Sequence, residues 1–242
     1  MSTSHTTPTV VLVHGAFVDA SSWNGVIAEL KAAGLDVVAP PNLLRGVGAD
    51  AADQTGFVEA LGRPVVLVAH SYAGAVISQT GSDASNVAGL VYVAAYAPEA
   101  GETLTAINAR YPDVPLAAAL RTFTYTGERG EQATDTYVDA ALFHDAVCAE
   151  APADVADTLA RTQRPASLAA FATAVTGTPA WQRLPSWAVV ATADHAIHPH
   201  AERDMAKRAG SEITEIDASH AVPATHPADV AAVIIRAVKA IG

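Results

Sequence analysis

The chain has 242 residues, half of them hydrophobic and only 16% charged, so it can build a sizeable core and has no long polar tract to remain disordered. With 25 acidic against 14 basic side chains, a net charge of −11 and no Lys/Arg cluster, it is expected to be a poor partner for nucleic acid or an anionic membrane surface. A single cysteine, Cys148, excludes an internal disulfide and a thiolate metal cluster built by this chain alone.

The polar opening, Met1 to Pro8, has neither the basic nor the apolar region of a secretory leader, and the apolar runs beyond it are shorter than the roughly twenty residues of a membrane span. A cytoplasmic protein is the expectation. Thr9 to Val13 reads as a continuous apolar strand, buried on both faces as in a parallel sheet. His14-Gly15-Ala16-Phe17 turns the chain, and Ser21-Ser22 precedes a helix with Trp23, Val26, Ile27 and Leu30 on one face, closed by Gly34. A second strand, Asp36 to Ala39, ends at Pro40-Pro41. A loop and a short helix to about Leu61 lead to the third strand, Val65 to Val68 and on to Ser71. A fourth strand covers Val87 to Ala94. From Pro98 to about Leu184 no strand is evident, and apolar positions in Leu116 to Leu120, Ala133 to Phe143, Val155 to Thr162 and Leu168 to Val175 suggest short helices. Strands resume at Trp187 to Ala193 and Glu212 to Asp217, followed by helices that open at Pro199 and Pro227.

This order predicts an α/β fold: a parallel, doubly wound sheet of about six strands with a helical cap inserted after the fourth. The core spans residues 1–97 and 185–242, and the cap residues 98–184. Right-handed crossovers bring the loops at the strand C-termini onto one rim.

Three residues on that rim carry chemistry. Ser71 stands between a strand and a small-residue helix, with Ala69 and Ala73 two positions to either side, the context of a nucleophile on a sharp turn. A serine hydroxyl needs a base, and the base an orienting acid. Of nine histidines, His220 lies in the loop after the last strand; His226, before Pro227, is its rival. Asp194 follows the fifth strand and suits the acid, with Glu99, after the fourth, as runner-up and Asp217 too close to His220 in the same turn. The backbone N–H groups of Ala16 and Tyr72 are placed to receive an oxyanion, and His14 is read as fixing the turn before Ala16. Phe17, Tyr125, Phe143, His144 and Trp181 are candidate pocket-lining residues. The spacing His195-Ala-Ile-His198-Pro-His200 matches no strict metal motif, so no metal is expected, and no dinucleotide or phosphate loop is present.

The segments Val11 to Phe17 with Trp23, Ala69-His70-Ser71-Tyr72-Ala73-Gly74, the Asp194 loop and Ser219-His220-Ala221-Val222 resemble the α/β-hydrolase superfamily, in particular its compact branch of small esterases, plant methylesterases and hydroxynitrile lyases. The resemblance implies Ser71, Asp194 and His220 as a triad, with Ala16 and Tyr72 as oxyanion donors and no cofactor. Ala69 departs from the glycine usual at that place. Ser71 stands where dehalogenases and epoxide hydrolases of this fold carry aspartate, and Ala221 where hydroxynitrile lyases carry lysine. The expected activity is hydrolysis of a small or medium carboxylic ester. C–C bond or lactone hydrolysis with the same triad, and a slow hydrolase-like ligand receptor, are the alternatives.

Overall fold

A computed structural model describes residues 7–127 and 129–242. The opening segment, read above as lacking a leader, lies through residue 6 outside the described residues. The chain runs β1 (Thr9–Val13), α1 (Asn24–Ala32), β2 (Val37–Val38), α2 (Val47–Ala60), β3 (Val65–Ser71), α3 (Ala73–Asp83) and β4 (Val87–Ala95). An insertion follows: α4 (Leu104–Asn108), α5 (Pro115–Ala119), β5 (Leu120–Thr126), β6 (Gln132–Val138), α6 (Phe143–Val147), α7 (Ala153–Thr162), β7 (Ala166–Ser167) and α8 (Leu168–Ala172). The alternation then closes with β8 (Ser186–Ala191), α9 (Pro199–Arg208), β9 (Glu212–Ile216), α10 (Val222–Thr225) and α11 (Pro227–Ile241).

Strands β2-β1-β3-β4-β8-β9 form one six-stranded sheet, and every neighbouring pair in it is parallel. The sheet is covered on both faces, which is why its strands are continuous apolar runs rather than alternating ones. Val10, Leu12, Val66 and Val68 join a core with Trp23, Leu30, Val233 and Ile234 from the α1 and α11 side. Val11, Val13, Leu67 and Ala69 face the other way, onto Val58, Val76 and Ile77 of α2 and α3.

The insertion differs from the all-helical cap expected. β5, β6 and β7 form a three-stranded antiparallel sheet, and the segment Ala133 to Phe143, expected as a helix, is mostly strand β6. Thr122, Thr124 and Thr126 stand across from Thr136, Thr134 and Gln132, so alternating β-branched residues decide the segment. The insertion is tied to the rim of the main sheet. Ala221 N–H donates to Val147 O at 2.8 Å, Leu116 N–H to His195 O at 3.0 Å and Ser167 N–H to Leu44 O at 2.9 Å. Arg45, from the loop after β2, donates to both carboxylate oxygens of Asp135 on β6 (2.9 and 3.0 Å) and to Pro165 O.

Candidate active site

Ser71 ends β3 with φ at 56°, a left-handed conformation uncommon for a residue with a side chain. Two close backbone approaches hold it there. A Cβ on Gly74 would lie 2.0 Å from the carbonyl oxygen of Tyr96, whose own N–H donates to Ser71 O at 3.2 Å. A Cβ on Gly15 would lie 2.7 Å from Ser71 Cβ. Helix α3 therefore sits hard against the chain leaving β4, and the turn carrying Ala16 sits hard against the serine. Ala69, where a glycine is more usual, is fully buried between Val13 and Tyr92 of the flanking strands. The turn His14–Phe17 is fastened by His14, whose Nδ1–H donates to Gly15 O at 2.9 Å while Nε2 accepts from Asn42 N–H at 2.9 Å. Burial holds this imidazole below its usual range, so it stays neutral, as that pair of bonds requires.

Tyr72 turns away from the serine. Its hydroxyl donates to Asp50 Oδ2 at 2.6 Å in the interior, anchoring the start of α3 to α2. Burial raises the Asp50 carboxyl above its usual range, while bonds from Tyr72 and the Arg45 N–H act against that rise.

The loops after β8 and β9 bring Asp194 and His220 together. His220 Nδ1–H donates to Asp194 Oδ2 at 2.6 Å, which leaves Nε2 as the free acceptor. Asp194 Oδ1 accepts from the N–H groups of Ala196 (2.6 Å) and Ile197 (2.8 Å), so the carboxylate cannot rotate away. Burial alone would raise Asp194; His220 and these two amides outweigh it and hold the carboxyl below its usual range. His70, the residue before Ser71, donates from Nε2 to His220 O at 2.9 Å. Its imidazole, held down to about 3 first by burial and then by neighbouring His220, is a neutral strut between the end of β3 and the loop after β9.

Ser71 and His220 open onto one narrow cavity, lined also by Ala16, Phe17, Tyr96, Leu116, Val147, Phe171 and Ile197. Phe171 of α8 stacks on Phe17 at 5.9 Å. Of the five pocket candidates, Phe17 is in this lining and the other four lie outside it. Tyr125 is 38% exposed on β5, beside Arg45 and Asp135. Phe143, the first residue of α6, is packed in the core, and His144 bonds Ala151 O from its Nε2. Trp181 donates to Pro98 O and carries the Arg208 guanidinium 5.9 Å above its ring. The rings of Phe143 and Trp181 fill the insertion and its junction with the sheet. The apolar lining missed by sequence reading, Tyr96, Leu116, Val147, Phe171 and Ile197, comes from five separate segments and leaves no local signal.

The rival acids and base lie elsewhere. Glu99 approaches Arg208, Asp217 accepts from Thr192, and His226 contacts Thr225. His198 accepts from His200 N–H at the start of α9 and stacks on Tyr111, so this histidine run caps and packs a helix. No group of three or more metal-ligating side chains is assembled among the described residues, nor is any described helix long and apolar enough to cross a membrane.

A parallel sheet of this order, interrupted after its fourth strand and carrying a strained serine at the end of its third, is the α/β-hydrolase fold. The chain matches the model of the alpha/beta hydrolase family over residues 10–233 and belongs to that family. Among solved structures, polyneuridine aldehyde esterase superposes with a TM-score of 0.79 at 17% identity, covering 96% of this chain and 99% of that one. The methylesterase MES16 from Arabidopsis gives 0.78 at 17% identity, over 96% and 99%. A pyrethroid hydrolase from Sphingobium faniae JZ-2 gives 0.75 at 19% identity, over 97% and 98%. No curated protein sequence matches the chain.

Proposed function

We propose that this chain is a cofactor-free serine hydrolase of small to medium carboxylic esters, working through an acyl-enzyme on Ser71. The observation that carries this reading is the buried 2.6 Å bond from His220 Nδ1–H to Asp194, which leaves Nε2 unprotonated beside the cavity that Ser71 opens onto. His220 Nε2 takes the proton of the Ser71 hydroxyl as Oγ attacks the ester carbonyl carbon. The carbonyl oxygen gains a full negative charge and is received by the N–H groups of Ala16 and Tyr72, the latter at the N-terminus of α3. Collapse breaks the carbon–oxygen bond to the alcohol, which leaves with the proton held by His220. A water then gives its proton to Nε2 and attacks the acyl carbon; the bond from that carbon to Oγ breaks, Oγ takes the proton back from Nε2, and the acid is released. Asp194 stabilises the imidazolium in both halves.

The similar structures include two esterases and a pyrethroid hydrolase, and the apolar lining suits an uncharged acyl or alcohol group. Enclosure by Phe17, Phe171 and Leu116 favours short chains. With p-nitrophenyl acetate, butyrate, octanoate and laurate, kcat/KM is expected to peak at the first two and fall at least about 10-fold by laurate, since each added methylene must displace cap side chains rather than fill free space. Turnover of none of the four esters would overturn the proposal. A preference for laurate would overturn its size limit.

A further inference from the structure

The loop that carries His220 is held by the insertion through a side chain that the proposed chemistry does not use. Helix α6 ends at Val147 and runs into a turn, Cys148-Ala149-Glu150-Ala151, closed by the bond from Ala151 N–H to Cys148 O at 2.9 Å. His144 fastens this turn to the helix, its Nε2–H donating to Ala151 O at 2.9 Å. Glu150 therefore stands on a fixed backbone, and its Oε1 accepts from Ser219 N–H at 3.1 Å. Val147 O accepts from Ala221 N–H at 2.8 Å and from the Ser219 hydroxyl at 3.3 Å. The residues on either side of His220 thus donate to one short stretch of the insertion. The same helix reaches the loop of the acid, since His195, which follows Asp194, donates from Nδ1 to Asp145 O at 2.8 Å.

Two of these acceptors, Val147 O and Asp145 O, belong to the backbone and would be supplied by any residue. The acceptor for Ser219 N–H is a side chain, so the hold on the residue before His220 depends on what stands at position 150. Ser219 is 2% exposed, and a buried amide that loses its acceptor costs more than the bond was worth, which drives the loop to shift. A carboxylate also accepts more strongly than a neutral oxygen. His226 Nδ1 lies 3.8 Å from the same Oε1, beyond hydrogen-bond range, and bonds the Thr225 hydroxyl at 3.0 Å.

We propose that Glu150 is a positioning residue that, through Ser219 N–H, fixes the peptide entering His220 and with it the direction in which Nε2 faces the cavity. The inference rests on the serine-hydrolase reading for its effect on rate, but not for the hold on the loop. A misplacement of a reacting group by about 1 Å can cost on the order of 10²-fold in rate, so a loosened loop is read in kcat. Glutamine keeps an oxygen that accepts from Ser219 N–H; leucine keeps the bulk and offers no acceptor. The Glu150 side chain is 34% exposed, so either substitution leaves the core intact.

The test compares wild type with Glu150→Gln and Glu150→Leu. E150Q is expected to keep kcat for p-nitrophenyl acetate within about 3-fold of wild type. E150L is expected to lower kcat by about 10-fold or more, with KM little changed and the melting temperature lowered by no more than about 4 °C. Amide hydrogen exchange followed by mass spectrometry reads the loop itself: the peptide containing Ser219 to Ala221 should exchange faster in E150L than in wild type or E150Q. Equal loss of kcat in E150Q and E150L, unchanged kcat in E150L, a rise in KM without a fall in kcat, or unaltered exchange at Ser219 to Ala221 would overturn the assignment. Turnover that survives Ser71→Ala would instead remove the serine-hydrolase reading and leave the exchange result standing.

Discussion

Ser71→Ala is expected to lower kcat for p-nitrophenyl acetate by about 10⁴-fold or more while leaving the circular dichroism spectrum and the melting temperature close to wild type. Removal of a serine nucleophile in a triad costs rates of this order because base, acid and oxyanion donors act through it as a unit. Stability should change little. Serine and alanine carry the same strain at φ 56°, and Ser71 Oγ holds no part of the fold together, the local structure being set by Gly15, Gly74 and the bond from Tyr96 N–H. A variant that loses activity by unfolding would show it in the melting curve.

Gly74→Ala is expected to be among the most destabilising single changes in the chain, at about 3–5 kcal/mol in urea unfolding. The added Cβ would stand 2.0 Å from Tyr96 O and 3.0 Å from Tyr96 C and N, all of them backbone atoms. Tyr96 cannot retreat, since it directly follows β4, whose last residue Ala95 pairs with Ser71 across the sheet. Helix α3 has to move instead, taking Tyr72 and the serine turn with it, so remaining folded protein should also be impaired in turnover. Gly56→Ala is the control. It lies inside α2 with nothing within 4 Å of the added methyl, and should be neutral or stabilising by up to about 1 kcal/mol. Equal melting temperatures for Gly74→Ala and wild type would contradict the packing account.

Both predictions concern one turn, which the sequence marks clearly. A strand followed by small residues around a serine constrains the backbone so strongly that the pattern is local. The six parallel strands are equally visible, because burial on both faces leaves uninterrupted runs such as Val10 to Val13 and Val65 to Val68. The insertion is harder to read. Strand β5 has most of its residues exposed, so its Thr-x-Thr-x-Thr alternation is not one of apolar against polar residues, and helical spacing among the neighbouring alanines conceals it. The cavity is hidden for another reason: aromatic identity says that a side chain will be buried, not which void it faces. Phe143 and Trp181 fill the interior while Phe171 reaches Phe17.

The central claim is that Ser71 is the nucleophile activated by the His220–Asp194 pair. Its most direct test is intact-mass and peptide-mass analysis after reaction with a fluorophosphonate, alongside ester turnover by the unlabelled protein. One label per chain is expected, located on the peptide containing Ser71, absent in Ser71→Ala, and accompanied by complete loss of a measurable esterase activity. Labelling at another residue, labelling of Ser71 in a protein that turns over no ester, or full turnover by Ser71→Ala would contradict it.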